Sequence, residues 1–219
     1  MAAFNEAQAI ADVLRALIPL GYSIVVVDDG SSDGTTEVVR QLPVHSLRHP
    51  INLGQGAALQ TGMEYALRHG AEFLVTFDAD GQHRAEDMPA LLAPVRAGDC
   101  DVALGTRFRD PESRKAIPPA RRMVLRIATW FTRLTSGIRV TDTHNGLRAL
   151  NRHAAESIRI TLNRMAHASE ILEQIPRQRL RVQEVDVRIV YDAYSTRKGQ
   201  RSLNALNILV DLLQSRLRH

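Results

Sequence analysis

Acidic residues occur in two pairs, each directly after an apolar and β-branched segment. Asp28 and Asp29 form one pair, and Asp78 and Asp80 form the other, with one small residue between them. This spacing lets the carboxylates of Asp78 and Asp80 converge on one hard cation, which prefers oxygen ligands. We therefore predict a Mg²⁺ or Mn²⁺ site here, which would hold a nucleotide diphosphate and stabilise it as a leaving group.

The residues argue against other ways of binding phosphate or metal. A dinucleotide fingerprint needs three spaced glycines between a strand and a helix, but the loop after Val27 is acidic and Asn52-Leu-Gly-Gln-Gly56 has only two of them. No P-loop pattern occurs. The single cysteine, Cys100, excludes a disulfide scaffold and a cysteine-based zinc site. His144 and His167 lack a ligand-like spacing, so we predict that neither holds a metal.

Strands and helices alternate in the first half of the chain and position both acidic pairs. The apolar patterns predict strands over 23–27, 44–48, 73–77 and 101–105, and helices over 9–17, 57–68 and 87–96. Asn5 suits the N-cap of the first helix. This order predicts a largely parallel sheet covered by helices on both faces, with ligands beyond the carboxyl ends of the strands. Both acidic pairs lie at that edge.

Length and hydropathy limit the class of protein. The chain has 219 residues, 44% of them hydrophobic, which predicts one large domain or one domain with a short appendage. No apolar run approaches the ~18–20 residues of a spanning helix, and the N-terminus lacks the pattern of a signal peptide. We therefore expect an intracellular, cytoplasmic protein, with peripheral contact to the cytoplasmic face of a membrane as an open alternative.

Charge is divided unevenly along the chain. Residues 1–106 carry 6 basic and 14 acidic side chains, whereas residues 107–219 carry 22 basic and 10 acidic ones. The net charge of +4 therefore combines an acidic half that suits a metal with a basic half that suits an anionic partner. Nucleic acid fits less well than a phosphate-bearing or membrane-bound acceptor, because no binding motif occurs and only 5% of the residues are aromatic.

Four motifs occur in a characteristic order. They are Phe4-Asn-Glu6, Val27-Asp-Asp-Gly-Ser-Ser-Asp-Gly-Thr35, Asn52-Leu-Gly-Gln-Gly56 and Phe77-Asp-Ala-Asp-Gly-Gln-His83. Over residues 3–200 the chain resembles a family-2 glycosyltransferase, and is most similar to the dolichyl- or polyprenyl-phosphate mannosyl- and glucosyltransferases. The resemblance implies a GT-A fold, a Rossmann-like α/β sheet with a donor half over 1–106 and an acceptor half over 107–200. Residues 201–219 then form an appended amphipathic helix.

The resemblance also implies roles on the donor side. Donor contacts fall on Asn5, Glu6, Asp28, Asp29, Gly54, Asp78, Arg107 and Lys198. The metal ligands are Asp78, Asp80 and Gln82, with Asp80 meeting the cation most directly as a catalytic residue. Arg107 suits a structural ion pair equally well. The lipid-phosphate branch places an Arg six residues before the Lys, but Asp192 occupies that position here, and Arg197 is a possible substitute.

The start of the chain departs from the family pattern. An apolar strand normally precedes the Phe/Tyr-Asn-Glu motif, whereas three residues precede Phe4 here. Three alternatives account for this: a misassigned start, a trimmed chain, or a first strand reduced to a stub.

The resemblance implies acceptor-side roles in the second half. In Thr141-Asp-Thr-His-Asn-Gly-Leu-Arg148, Asp142 and Arg148 would order the site or meet an acceptor phosphate. Glu170 lies where related enzymes carry an acid, which acts as a general base toward a hydroxyl acceptor. A phosphate acceptor is already ionised and needs no base, and the alternative for Glu170 is a charge at a helix start.

Three basic or apolar segments of the second half keep two or more interpretations. Residues 111–119 suit a lid or a solvated surface loop. The helical pattern over 121–134 suits an anionic membrane surface or ordinary core packing. The stripe formed by Leu203, Leu206, Val210, Leu213 and Leu217 suits docking, membrane contact or formation of a homo-oligomer.

Together these observations predict a metal-dependent glycosyltransferase with a nucleotide-diphosphate sugar donor, and the resemblance implies that it inverts the configuration at the anomeric carbon. Polyprenyl phosphate is the first candidate acceptor, and a sugar hydroxyl of a glycan or polysaccharide precursor is the second. A sugar nucleotidyltransferase would need a Gly-rich, basic N-terminal loop, which is absent. A non-enzymatic nucleic-acid-binding protein is the weaker alternative, and the retained Asp78 and Asp80 argue against a non-catalytic family member.

Overall fold

The structure is a computed structural model that describes residues 1–108, 138, 140–143, 145–163 and 166–190. Its strands are β1 Ala2–Ala3, β2 Val25–Asp28, β3 His45–Arg48, β4 Phe73–Thr76, β5 Val102–Thr106, β6 Arg148–Asn151 and β7 Val182–Asp186. Its α-helices are α1 Ile10–Leu17, α2 Thr35–Arg40, α3 Gln55–Arg68, α4 Met88–Arg96, α5 Arg152–Ser157 and α6 His167–Arg177. Two short 3₁₀ helices cover Ile18–Leu20 and Ala85–Asp87.

The strands form two sheets that meet at β1 and β4. Strands β1, β2 and β3 are parallel and lie in that order, and the other four lie in the order β4-β6-β5-β7. A parallel bridge between Ala2 and Asp78 connects the two sheets. Strand β6 runs antiparallel to β4 and β5, whereas β5 and β7 are parallel. The prediction of a mostly parallel sheet flanked by helices is confirmed, with β6 as the exception.

The predicted elements of the first half agree with the observed ones to within two residues at each end. Strand β2 is a run of valines, which suits a strand buried on both faces. Helix α1 buries its apolar stripe, formed by Ile10, Val13, Leu14 and Leu17. The N-cap prediction for Asn5 is wrong, because α1 begins at Ile10 after Ala9, and the Asn5 side chain bonds to a loop instead.

A cavity of about 470 Å³ lies beside Met1, next to β2 and β4. Strand β1 has two residues, which pair with Val27 and Asp28. The Met1 ammonium group donates to the Val25 carbonyl oxygen at 2.9 Å, and burial lowers its pKa to about 6. The cavity lining includes Leu17, Leu59, Met63, Phe73, Met88 and Leu92. Strand β1 is thus short, and the cavity lies beside its first residue, Met1.

Within the described ranges, none of the helices combines the length and the apolar character needed to cross a membrane. Several predictions concern residues outside those ranges. They are the loop over 111–119, the helix over 121–134, the C-terminal helix over 201–219, and the roles of His144, Asp192, Arg197 and Lys198.

Candidate active site

The first two motifs are hydrogen-bonded to each other. Asn5 adopts a left-handed backbone conformation, with φ of 54°. Its N–H donates to Ser31 Oγ at 2.9 Å, and its Oδ1 accepts from the Ser32 N–H at 3.0 Å. The Glu6 N–H donates to Thr35 Oγ1 at 2.9 Å. Asparagine tolerates this conformation better than most residues, so the turn after β1 can close onto the loop after β2.

The Asp28 carboxylate shapes the loop that follows β2. It is buried and accepts hydrogen bonds from the Ser31 N–H at 3.0 Å and from the Thr36 hydroxyl. Arg48 Nε lies 3.7 Å from its Oδ2. The Asp28 carboxylate therefore stabilises the loop that follows it and attaches that loop to Arg48 at the end of β3.

The Asp29 carboxylate joins the same loop to the turn before α3. It is 2% exposed and accepts from the Leu53 N–H at 2.9 Å and the Gly54 N–H at 2.7 Å. His49 Nδ1 lies 2.7 Å from its Oδ1. Gly54 has φ of 101°, and a Cβ there would lie 2.1 Å from the Asn163 carbonyl oxygen. Only glycine fits this turn, because it has no Cβ and tolerates positive φ.

Asp78 follows β4 and has a partner on each carboxylate oxygen. Gln55 Nε2 donates to Oδ1 at 3.2 Å, and His83 Nε2 lies 2.9 Å from Oδ2. Burial alone would raise the pKa of Asp78, but the His83 hydrogen bond and the positive charges of His83, Arg148 and His167 lower it below its ordinary value. Asp78 is therefore held in its ionised form.

Asp80 has the opposite electrostatic environment. Burial raises its pKa above the ordinary value, and the charges of Asp78 and Glu6 act in the same direction. Its Oδ1 accepts from the Gln82 N–H at 3.0 Å. The Gln82 side-chain amide has no hydrogen-bond partner among the residues that the structure describes. Negative charge is thus concentrated at the carboxyl end of β4.

These residues fit a divalent cation. Burial and the charges of Asp78 and Glu6 raise the pKa of Asp80, and a bound cation would offset that cost. Gln82, whose N–H donates to the same carboxylate, would supply a neutral oxygen ligand. Because both oxygens of Asp78 are engaged by Gln55 and His83, Asp80 would be the more direct carboxylate ligand of the two.

Arg107 and Asp142 form a buried ion pair. Their side chains are 5% and 0% exposed, and Arg107 Nε lies 2.6 Å from Asp142 Oδ2. The structure thus shows Arg107 in an ion pair, which attaches the end of β5 to the segment that contains Asp142.

Arg148 brings the two halves of the predicted site together. It begins β6, is 2% exposed, and has its charge stabilised by both Asp78 and Asp142. Burial is the larger effect and lowers the pKa of Arg148. Within the described part of the chain its Nη1 has no hydrogen-bond partner. A buried guanidinium thus lies near carboxylates of both halves.

Glu170 is engaged away from Asp78 and Asp80. It lies in the first turn of α6, and its carboxylate accepts from the Thr161 N–H at 3.0 Å, the Thr161 hydroxyl and the Leu162 N–H at 2.9 Å. The Leu162 carbonyl oxygen in turn packs against Gly56. Glu170 therefore lies at a helix start, as the structural alternative expects, and its carboxylate also contacts a neighbouring loop.

Three contacts of the site escaped sequence reasoning. Gln55 and His83 lie inside the motifs quoted above, so their presence beside Asp78 could have been suspected from those motifs. His49 had no such signal, because it follows a weakly patterned strand and meets Asp29 only through the fold.

The sequence of the chain matches the model of a known family. A sequence model described as glycosyl transferase family 2 matches residues 1–159, which is more than half of the chain.

The chain belongs to glycosyl transferase family 2.

Several relatives in the family align over most of the chain. An uncharacterized protein of Methanocaldococcus jannaschii is 35% identical over 218 residues, covering 98% of this chain and 90% of the relative. The UDP-N-acetylglucosamine–dolichyl-phosphate N-acetylglucosaminyltransferase of Methanococcus voltae is 29% identical, with 98% and 94% covered. The polyprenol monophosphomannose synthase of Mycolicibacterium smegmatis is 36% identical, with 62% of this chain and 53% of the relative covered.

Solved structures support the same family fold. Glucosyl-3-phosphoglycerate synthase from Mycobacterium tuberculosis superposes with a TM-score of 0.73 at 18% identity, covering 97% of this chain and 77% of that one. That enzyme has been crystallised with Mn²⁺, UDP and phosphoglyceric acid. At this identity the likeness establishes the GT-A fold alone.

Proposed function

We propose that this family-2 glycosyltransferase moves a sugar from a nucleotide-diphosphate donor to a polyprenyl phosphate, with inversion at the anomeric carbon. The observation that carries the proposal is the acidic edge at β4, where Asp80 is largely buried near the negative charges of Asp78 and Glu6 and accepts a hydrogen bond from the Gln82 N–H. The names of the relatives from Methanococcus voltae and Mycolicibacterium smegmatis, which include dolichyl phosphate and polyprenol, support the acceptor class.

The donor half would bind and orient the sugar nucleotide. Asp80 and Gln82 would hold Mg²⁺ or Mn²⁺, with Asp78 oriented beside them by Gln55 and His83. When bound, the cation offsets negative charge on the departing diphosphate. The turns containing Asn5, Glu6, Gly54 and the Asp28-Asp29 pair would shape the nucleotide pocket, mainly through the backbone that their hydrogen bonds fix.

The acceptor half would recognise a phosphate rather than activate a hydroxyl. Arg148 supplies a buried positive charge, and Asp142 orders the segment before it. Glu170, the residue that the resemblance implies as a base, is committed to Thr161 and Leu162. An ionised phosphate attacks without a base, so this arrangement favours a phosphate acceptor over a sugar hydroxyl.

The same proposal covers the organisation of the chain and its place in the cell. Residues 1–106 would serve the donor and residues 107–200 the acceptor, with Lys198 proposed as a contact of the donor and residues 201–219 as an appendage to this domain. The 22 basic side chains of the second half suit peripheral contact with an anionic membrane that carries the lipid, on its cytoplasmic face.

A thermal-shift panel of UDP-, GDP- and dTDP-sugars, with and without Mn²⁺, tests the donor. We expect one donor to raise Tm by roughly 5–10 °C at about 100 Kd, only with the metal. The rise in Tm should vanish in Asp80→Ala and persist in Glu72→Ala, an exposed acid before the start of β4, at the end of the strand opposite to Asp80. No stabilisation by any donor would refute the proposal.

A transfer assay then tests the acceptor. Sugar from the identified donor should appear on polyprenyl phosphate and not on the corresponding free polyprenol, because the alcohol lacks the ionised nucleophile. Transfer to a glycan hydroxyl, with none to polyprenyl phosphate, would refute the lipid acceptor and favour the second candidate acceptor.

A further inference from the structure

Asp29, His49 and Thr61 form a chain of hydrogen bonds between β2, β3 and α3. His49 Nδ1 lies 2.7 Å from Asp29 Oδ1, and His49 Nε2 lies 3.0 Å from Thr61 Oγ1. The side chains of His49 and Asp29 are only 10% and 3% exposed. A neutral ring satisfies both contacts when Nδ1–H donates to the carboxylate and Nε2 accepts from the hydroxyl. The two partners thus fix the orientation of the ring.

The same carboxylate holds the turn that begins α3. Asp29 accepts from the Leu53 and Gly54 N–H groups, and α3 starts at the next residue, Gln55. The Gln55 side chain donates to Asp78 Oδ1 at 3.2 Å. One buried carboxylate therefore sets the position of the residue that contacts the other acidic pair.

The three donors on Asp29 make its orientation depend on His49. A buried carboxylate must be satisfied from several sides, and charge-assisted bonds of 2.7–2.9 Å are the strong ones. Without the imidazole, Asp29 would keep the two amides but lose its 2.7 Å contact with the residue that follows β3. The turn at Leu53 and Gly54 would then be free to shift, and Gln55 with it.

We propose that His49 is a positioning residue for the donor site. The hydrogen bond to Thr61 holds the His49 ring, and the ring orients the Asp29 carboxylate. The Leu53–Gly54 turn that Asp29 binds then places Gln55 in contact with Asp78. The inference rests on the proposed function for its kinetic consequence, since a preorganised edge lowers the cost of binding the donor. The arrangement of the turn itself is independent of any activity.

Amide hydrogen exchange and donor binding test the proposal together. In His49→Ala we expect exchange of the Leu53 and Gly54 amides to become about tenfold faster, and the Kd and KM for the donor with Mn²⁺ to rise about tenfold. The turnover number kcat should change less than threefold, because His49 touches no reacting group. His153→Ala, at an exposed histidine of α5, is the matched control and should change none of these quantities.

Two conservative variants separate positioning from general stability. His49→Asn can still donate to Asp29 from its amide, so it should restore slow amide exchange and most of the donor affinity. Thr61→Val removes only the hydrogen bond between Thr61 and His49 Nε2. It should give a smaller increase in amide exchange and in donor Kd, and it remains informative even if His49→Ala fails to fold. If Thr61→Val and a folded His49→Ala both leave amide exchange unchanged, or if His49→Asn rescues nothing, the proposal is wrong.

The outcomes also distinguish this inference from the proposed function. Faster amide exchange in His49→Ala, in a protein whose wild type binds no sugar nucleotide, would refute the glycosyltransferase proposal and support the positioning of the turn. Unchanged exchange in a variant of an active enzyme would refute the positioning role alone.

Discussion

Arg107 and Asp142 form a buried, bidentate contact. Arg107 Nε and Nη2 lie 2.6 and 3.2 Å from the two carboxylate oxygens of Asp142, and the Arg107 N–H donates to the same carboxylate at 3.3 Å. The pair joins the end of β5 to the segment before β6, although 35 residues separate its members.

Removing one partner of this pair should be strongly destabilising. Asp142→Ala leaves the Arg107 guanidinium buried without its main counter-charge, which should lower the free energy of unfolding by about 3–5 kcal/mol. Urea denaturation measures this change. The exposed Arg15–Asp12 pair is the control, and Asp12→Ala should cost at most about 1 kcal/mol. Equal losses in the two variants would contradict a buried pair.

Neutralising Asp80 should stabilise the metal-free protein. An acid whose pKa is raised in the folded state opposes folding above its ordinary pKa, and this effect disappears as the pH falls below that value. Asp80→Asn should therefore have a higher Tm than the wild type at pH 7 and the same Tm near pH 3, both with EDTA. In Mn²⁺ and donor the order at pH 7 should reverse. A lower Tm of metal-free Asp80→Asn at pH 7 would be the contrary result.

Asp101 should contribute stability that acid removes. The hydrogen bond from the Arg181 side chain is the largest cause that lowers its pKa from 3.8 to about 2, and the Arg181 N–H and Asn151 add to it. A lowered pKa stabilises the folded state above about pH 4, and this contribution is lost as the pH falls toward 2. Asp101→Asn should therefore lower the free energy of unfolding at pH 7. Between pH 4 and pH 2 the free energy of unfolding should fall less in the variant than in the wild type, as measured by urea titrations at each pH.

Glu170→Gln should affect stability more than chemistry. One oxygen of the carboxylate is replaced by an amide group, so a hydrogen bond to Thr161 or Leu162 is lost, at a cost of about 1–2 kcal/mol. The value of kcat should stay within threefold of the wild type. Glu173→Gln, in an exposed pair with Arg177, is the control for charge. A fall in kcat of a hundredfold or more would instead establish Glu170 as a general base.

Two glycines of α3 should respond differently to a methyl group. A Cβ at Gly56 would lie 2.1 Å from the Leu162 carbonyl oxygen, which belongs to the loop that Glu170 holds. Gly56→Ala should therefore destabilise the protein by about 1–3 kcal/mol. Gly62→Ala meets only the Val27 Cγ2 atom at 3.3 Å and gains helix propensity, so its Tm should change by less than 2 °C. Similar losses of Tm in the two variants would contradict the close approach of the loop to Gly56.

The helices and strands of the first half were predictable because each forms where the spacing of its own apolar residues allows one face to be buried. Val26 and Val27 of β2 and the stripe of α1 are buried as their spacing requires. The acidic pairs lie at strand ends, where the parallel pairing of β1 with Asp28 and Asp78 brings them near each other. The position of β6 was not predictable in the same way. Its four residues pair in the middle of a sheet with strands that lie far away in sequence, and pairing partners leave no trace in periodicity.

The partners of the site residues were the least predictable. Asp28, Asp29 and Glu170 were assigned from motif positions, but their carboxylates bond to amides and hydroxyls of neighbouring loops. Such contacts depend on loop conformation, which the amino-acid types constrain only weakly. His49 illustrates the limit, since its contact with Asp29 spans 20 residues and two strands.

The place of β6 between β4 and β5 has a consequence for the chain as it leaves the ribosome. Strands β4 and β5 emerge first, and each exposes an unpaired edge until Arg148–Asn151 has been synthesised. At 5–20 residues per second, the interval from the end of β5 lasts roughly 2–9 s. Unpaired edges invite pairing with other chains, so nascent or stalled chains that end before β6 should be substrates for chaperones.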